Sequence, residues 1–289
     1  MNIDKWLTLN TKDLTGANVV ITGATGGLGE NIVEILARLN ANIFTISRSE
    51  KKSKSLKEKI LFTYPNTNYT EIIADLESDE QVSNCIDVLK TNNIDILILN
   101  AGIYNVPLKK LNNGFNNVFQ VNFLSQYRIT KELLPTLRQS KYGKVIAVSS
   151  IAHNYSKINV EDVDFSHAKK ASKIYGNSKR FLTYALHELI KEDTVKLSIV
   201  HPGITLTNMT NHYPKYINWL VKFGISVLFP TPKKATLNII KGIFSSTPYL
   251  TWIGPSICNI WGKPKLKSLK TARPEEIKKI FEIAQNIIK

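Results

Sequence analysis

The sequence predicts an α/β protein: a single doubly wound domain whose central parallel sheet of about seven strands is flanked by helices. Three observations predict it. Short β-branched runs alternate with amphipathic stretches of ten or more residues, the pattern of repeated βαβ units. The run 95–99 is nearly all apolar, as a strand covered on both faces must be. No internal repeat, low-complexity tract or Pro/Gly-rich linker divides the chain, so 1–289 is expected to be one domain.

In chain order, strands are expected over 18–22, 42–47, 69–74, 95–99, 144–148 and 195–200. Between them the spacing predicts helices, among them 30–38, 116–138 and 173–191. Right-handed crossovers would wind such strands into one sheet, with ligands bound beyond their carboxyl ends. The unusual residues fall at those ends.

The first is a glycine cluster directly after the first strand: Gly23, Ala24, Thr25, Gly26, Gly27, Leu28 and Gly29. Glycine permits a tight turn and lets backbone approach a phosphate closely. The following helix offers unpaired N–H groups and a positive dipole end to a pyrophosphate. Glycines in such a turn can be purely structural, but their place in the first βα unit points to a dinucleotide. The end of the second strand then bears on the adenosine ribose. It reads Ser47, Arg48, Ser49, with no carboxylate before Glu50. A 2′-phosphate wants a cation there, and a guanidinium can grip it bidentately, so NADP(H) is favoured over NAD(H).

Tyr175 and Lys179 stand at i and i+4, on one face of an expected helix. A carbonyl reduced by hydride needs a proton, and the reverse reaction needs it removed. Free tyrosine titrates near pH 10, and a neighbouring ammonium is expected to lower that value. A Tyr-x-x-x-Lys pair is common by chance; its ordered company gives it meaning. Tyr155 lacks such a partner, because Asn159 stands four residues on.

The spacing of Gly23, Gly27 and Gly29 after Thr22 resembles the short-chain dehydrogenase/reductase family, whose fold is Rossmann-type. The resemblance implies further roles. Asp75 resembles the family's adenine-contacting Asp, with Leu76 beside it, and Asn100, Ala101 and Gly102 resemble the element lining the cofactor cleft. Ser150 resembles the catalytic serine, with Ser149 as the competing assignment, and Asn122 resembles the asparagine anchoring a water behind the lysine. Pro202, Gly203, Thr205 and Thr207 resemble the segment that holds the nicotinamide amide, and His201 before them reads as a strand-end residue shaping the turn. These elements span 18–207 in the family's order. Ser150 and Tyr175 are separated by a long insertion, 151–174, which with the Ser-Ser-Ile-Ala-His run resembles the retinol-dehydrogenase-like subgroup, including WW-domain oxidoreductases. Such relatives act on apolar alcohols and aldehydes.

The reading is therefore an NADP(H)-dependent oxidoreductase acting on a carbonyl or alcohol of an apolar, small-to-medium substrate. Its competitor is a catalytically silent dinucleotide sensor or scaffold, which would be expected to break the set Asn122, Ser150, Tyr175 and Lys179; all four are present. Residues 208–229 hold Met209, Tyr213, Tyr216, Trp219 and Phe223, and read as a helical substrate lid, a dimer contact or a membrane-facing surface. Residues 263–289 read as a C-terminal extension, lysine-rich at first and then an amphipathic helix over 274–288, packed against the sheet's edge.

Composition bounds the rest. The chain is 43% hydrophobic, enough for a full core, and 21% charged. Cys85 and Cys258 give no disulfide framework and no metal-ligand spacing, in keeping with a reducing compartment. Asp4 and Lys5 precede Trp6 with no apolar core of a signal peptide, and 217–229 is too short to span a bilayer and is broken by Lys222. A cytoplasmic monomer or homodimer is expected, with peripheral membrane contact left open. The net +15 reads as compositional drift plus the needs of a phosphate-bearing cofactor, because the cations look scattered. Nucleic acid is the weaker partner reading.

Overall fold

The sheet grows outward from its first strand in two directions. The structure, a computed structural model, describes residues 2–203, 230–245, 247–269 and 271–288. Numbered in chain order over those residues, the first half runs α1 (Ile3–Asn10), β1 (Asn18–Thr22), α2 (Gly29–Arg38), β2 (Asn42–Ser47), α3 (Glu50–Thr63), β3 (Tyr69–Ile73), α4 (Asp79–Lys90) and β4 (Ile96–Leu99). The second runs α5 (Asn117–Phe119), α6 (Ser125–Gln139), β5 (Lys144–Val148), α7 (Ala171–Ile190), β6 (Lys196–Val200), α8 (Pro232–Phe244), β7 (Thr251–Ile257), β8 (Trp261–Ser268) and α9 (Pro274–Ile287).

The spatial order is β3-β2-β1-β4-β5-β6-β7-β8. Strands β1 to β7 pair in parallel, and only β8 runs antiparallel, on β7. About seven strands are expected, of which the alternation places six, β1 to β6; β7 is the seventh parallel strand. The eighth is an addition, and it occupies the lysine-rich start of the expected extension. Aliphatic residues fill β4 and all of β5 but Lys144, and every residue of both strands is buried. One apolar layer joins Val20, Leu97, Val145, Phe119, Phe123 and Phe181, and the other joins Val19, Ile21, Ile32, Leu36, Ile146 and Ile239. The unforeseen α1 closes the second layer with Trp6 and Leu7.

Two further differences bear on function. The helix expected over 116–138 is broken by a π-turn, Gln120–Leu124, centred on Asn122. Such turns re-aim side chains at a local cost in hydrogen bonding. The C-terminal helix α9 packs on α7 rather than on the sheet's edge. Its anchor is Arg180, 1% exposed, whose Nε and Nη2 donate to the two Glu276 carboxylate oxygens at 2.7 and 2.8 Å. Among the described residues no helix is long and apolar enough to cross a membrane.

Candidate active site

The order β2-β1-β4-β5 reverses chain direction of growth between β1 and β4, and a cleft opens beyond the carboxyl ends of those strands, as such a switch point requires. Its volume is about 330 Å³. Gly23, at φ +66°, turns the chain out of β1, and its N–H donates to Ile46 O at 2.9 Å. A side chain there would put Cβ 2.8 Å from Ala101 Cα. At Gly29 a Cβ would meet Gly23 O at 2.2 Å, so the loop is packed at backbone contact. No side chain caps the start of α2; Glu30 N–H turns back to Gly26 O at 3.0 Å, and the positive end of the helix dipole adjoins the glycine turn.

The cleft wall gathers Gly23, Thr25, Gly26, Gly27, Leu28, Gly29, Arg48, Asp75, Leu76, Asn100, Ala101 and Gly102. These twelve were all singled out in the sequence. Asn100 holds the wall together: its Nδ2 donates to Thr22 O and Gly23 O, both at 3.1 Å, tying β4 to the glycine turn. Asp75 Oδ1 accepts from Glu77 N at 3.0 Å, and Leu76 O accepts from Ser125 Oγ at 2.6 Å. Arg48 is exposed, and among the described residues it enters no ion pair. The sequence reading missed Lys52, Ser47, Ile103 and Val121, which also line the cleft. Lys52 had a legible signal, standing four residues beyond Arg48 on the first turn of α3 with Ser49 as N-cap. Ser47 is 3% exposed, and its hydroxyl lacks a hydrogen-bond partner among the described residues.

Gly102 joins the cleft to the reactive side chains. A Cβ on Gly102 would lie 3.3 Å from both Asn122 Oδ1 and Lys179 Nζ. The π-turn lets Asn122 clamp Ile103 at both ends, accepting from its N–H at 2.7 Å and donating to its O at 3.0 Å. Asn122 Nδ2 also donates to Ser178 Oγ at 3.0 Å, and Ser178 Oγ donates to Tyr175 O at 2.8 Å. Lys179, 2% exposed, donates from Nζ to Val148 O at 2.8 Å.

The two serines separate cleanly. Ser149 Oγ is buried against Thr183 Oγ1 at 2.7 Å, whereas the Ser150 hydroxyl hydrogen-bonds Tyr175. Ser150, not Ser149, faces the phenol. Behind it, His153 Nδ1 donates to Ser150 O at 2.5 Å and Arg180 Nη1 donates to His153 O at 2.8 Å.

The electrostatics depart from the sequence expectation. Burial pushes the Tyr175 phenol up to about 12, the Ser150 hydrogen bond opposing it and Tyr104 adding to it. Lys179 is absent from these influences: its Nζ sits 5.9 Å from the Tyr175 ring centroid, held on Val148 O. Burial pushes the lysine itself down to about 8. Tyr104 meets Tyr175 edge to face, centroids 5.1 Å apart. Tyr155 is 76% exposed and takes no part.

Pro202 is buried and Gly203 turns at φ +92° at the end of β6. His201 shapes that turn as expected, its Nε2 bonded to Asn259 O at 3.2 Å. Thr205, Thr207 and the proposed lid 208–229 lie outside the described residues.

A protein-family profile described as short chain dehydrogenase matches residues 17–217. Human polyprenol dehydrogenase is 28% identical over 253 residues, covering 81% of this chain and 74% of that protein. Mouse retinol dehydrogenase 12 is 30% identical over 212 residues, covering 71% and 67%. Such relatives bear out the retinol-dehydrogenase-like resemblance. Among solved structures, a Mycobacterium paratuberculosis protein of 20% identity superposes with a TM-score of 0.76 over 97% of this chain and 96% of that one. A 3-oxoacyl (acyl-carrier-protein) reductase from Agrobacterium tumefaciens with NADP bound, 19% identical, gives 0.64 over 81% and 88%. At these identities the likeness is one of fold.

Proposed function

The chain belongs to the short-chain dehydrogenase family and is an oxidoreductase of that fold, and on this premise we propose that it is an NADPH-dependent reductase of apolar carbonyl compounds. The observation that carries the reading is Ser150 hydrogen-bonded to Tyr175, with Lys179 and Asn122 behind Gly102, at the mouth of a glycine-lined cleft.

The residues present fit a phosphorylated dinucleotide. The uncapped α2 terminus and the Gly23–Gly29 turn suit the pyrophosphate, while Ile46, Leu76 and Val121 give apolar wall. The Ser47 hydroxyl, Arg48 and Lys52 together would hold a 2′-phosphate, with no carboxylate beside it before Glu50. When bound, the nicotinamide supplies the hydride that the carbonyl carbon receives. Tyr175 gives its phenolic proton to the carbonyl oxygen, so the substrate leaves as an alcohol and the tyrosine must be reprotonated. Ser150 donates a hydrogen bond to the same oxygen as charge develops. A phenol held up near 12 is fully protonated at neutral pH, the state that reduction needs. Lys179 stays largely cationic at pH 7 and would steady the phenolate left by proton transfer. Clamped to Ile103 and Ser178, Asn122 positions both the cleft wall and the tyrosine's helix.

The apolar substrate class is supported by two relatives whose names are those of apolar alcohols, polyprenol and retinol. The test is NADPH oxidation followed at neutral pH across a panel of aliphatic aldehydes, ketones and quinones. Turnover of apolar members supports the reading; no turnover of any member by protein that binds NADPH sinks it.

A further inference from the structure

Arg180 stands next to Lys179 on α7 as a fully buried cation, yet the proton-transfer chemistry makes no direct use of it. Burying a guanidinium is costly unless its N–H groups find acceptors. Here those acceptors are distributed with a purpose. The Glu276 carboxylate balances the charge, Nη2 reaches Thr271 O at 2.7 Å, and Nη1 reaches His153 O at 2.8 Å.

Through His153 the arginine acts on the turn that carries the serine. Ser150 is the N-cap of the short helical turn Ile151–Tyr155. Its carbonyl accepts from His153 N–H at 3.1 Å and from the His153 ring at 2.5 Å. Its Oγ accepts from Ala152 N–H at 3.3 Å, which leaves the hydroxyl proton to point towards an acceptor outside the turn. Tyr175 is the hydrogen-bonding neighbour on that side. The far end of the turn is tied down as well, Thr271 Oγ1 donating to Asn154 Oδ1 at 2.8 Å. One guanidinium thus joins the helix bearing Tyr175, the turn bearing Ser150 and the segment leading into α9.

We propose that Arg180 is a positioning residue for proton transfer: pinned by Glu276, it holds the His153 turn so that the Ser150 hydroxyl meets the Tyr175 phenol. Apolar side chains of similar volume could replace the buried pair at little loss of stability, but none would supply an N–H to His153 O. The effect on rate rests on the reductase reading; the pinning of the turn rests on these contacts alone.

The test is Arg180→Met combined with Glu276→Leu, made in wild type and in Ser150→Ala. The paired variant should keep most of the wild-type melting temperature and its NADPH affinity, yet lower kcat about tenfold, because its proton-handling groups are no longer held in line. In Ser150→Ala the same pair should lower kcat less than about twofold further, since the serine it aims is already gone. Backbone hydrogen exchange over 151–158 should speed at least about tenfold in the paired variant, a readout that needs no turnover. Arg180→Lys keeps a cation for Glu276 but lacks the fork that reaches His153 O too, so it should show the same losses and serves if the paired variant does not fold. Unchanged exchange, or a wild-type kcat in a variant with faster exchange, overturns the inference. Losses that multiply in Ser150→Ala also overturn it, because the pair would then act elsewhere. If wild type oxidises NADPH with no carbonyl compound, the reductase reading falls and exchange alone decides whether Arg180 pins the turn.

Discussion

Glu276→Leu tests whether the C-terminal helix is welded to the catalytic one. Arg180 is 1% exposed and follows Lys179 directly in α7. Its guanidinium is satisfied by Glu276 in a two-pronged pair, by His153 O at 2.8 Å and by Thr271 O at 2.7 Å. Glu276 Oε1 also accepts from Ile158 N at 3.3 Å, so the same carboxylate ties down the loop before Tyr175. Removing the carboxylate leaves a buried cation half-paired, which costs roughly 3–5 kcal/mol. For a chain of 289 residues the unfolding entropy is about 0.6 kcal/mol/K, so the melting temperature should fall by roughly 5–8 °C. Arg180→Met added to Glu276→Leu removes the stranded charge and should recover most of that loss. Differential scanning calorimetry reads both. A fall under about 1 °C for Glu276→Leu, or a double variant no more stable than the single one, would refute the reasoning.

Three further outcomes follow from named contacts. Arg48→Ala and Lys52→Ala should each raise the KM for NADPH about tenfold with little change for NADH, in steady-state assays with either cofactor; equal effects on both would remove the 2′-phosphate assignment. Ser150→Ala should lower kcat about 100-fold or more at unchanged stability, whereas Ser149→Ala, which removes one of the two hydrogen bonds of the Thr183 hydroxyl, should cost about 1 kcal/mol of stability and spare kcat; the reverse pattern would reassign the serine. His153, His187 and His201 are buried and pushed down to about 4, 4 and 3. With folded values below the unfolded 6.5, their contribution is present above pH 6.5 and is lost as pH falls toward 4. The loss is about 2 kcal/mol per histidine between pH 7 and 5, read as a falling urea midpoint; a flat profile across that window would contradict it.

The sheet was legible because a parallel strand covered on both faces is mostly apolar, and β1, β2, β4, β5 and β6 are, apart from polar ends and the small hydroxyls of Thr45 and Ser198. β7 and β8 were not legible, because Gly254 and Pro255 interrupt the first, while Pro264 and the lysines disguise the second as solvent-facing tail. The cleft was legible from glycines whose missing Cβ atoms now have measured obstacles, at Ala101 for Gly23 and at Gly23 O for Gly29. Long-range chemistry was beyond reach: Arg180 and Glu276 stand 96 residues apart, and neither carries a local sign of its partner. The tyrosine's environment was misjudged for a related reason. Helical spacing brings Lys179 to the same face as Tyr175, but not whether its ammonium turns to the phenol or, as here, to Val148 O.

The most direct test of the central claim is kcat for Tyr175→Phe, with NADPH affinity measured alongside by fluorescence titration. The account predicts a loss of about 100- to 10,000-fold in kcat with the dissociation constant unmoved, because only the proton source has gone. Turnover at the wild-type rate would contradict it.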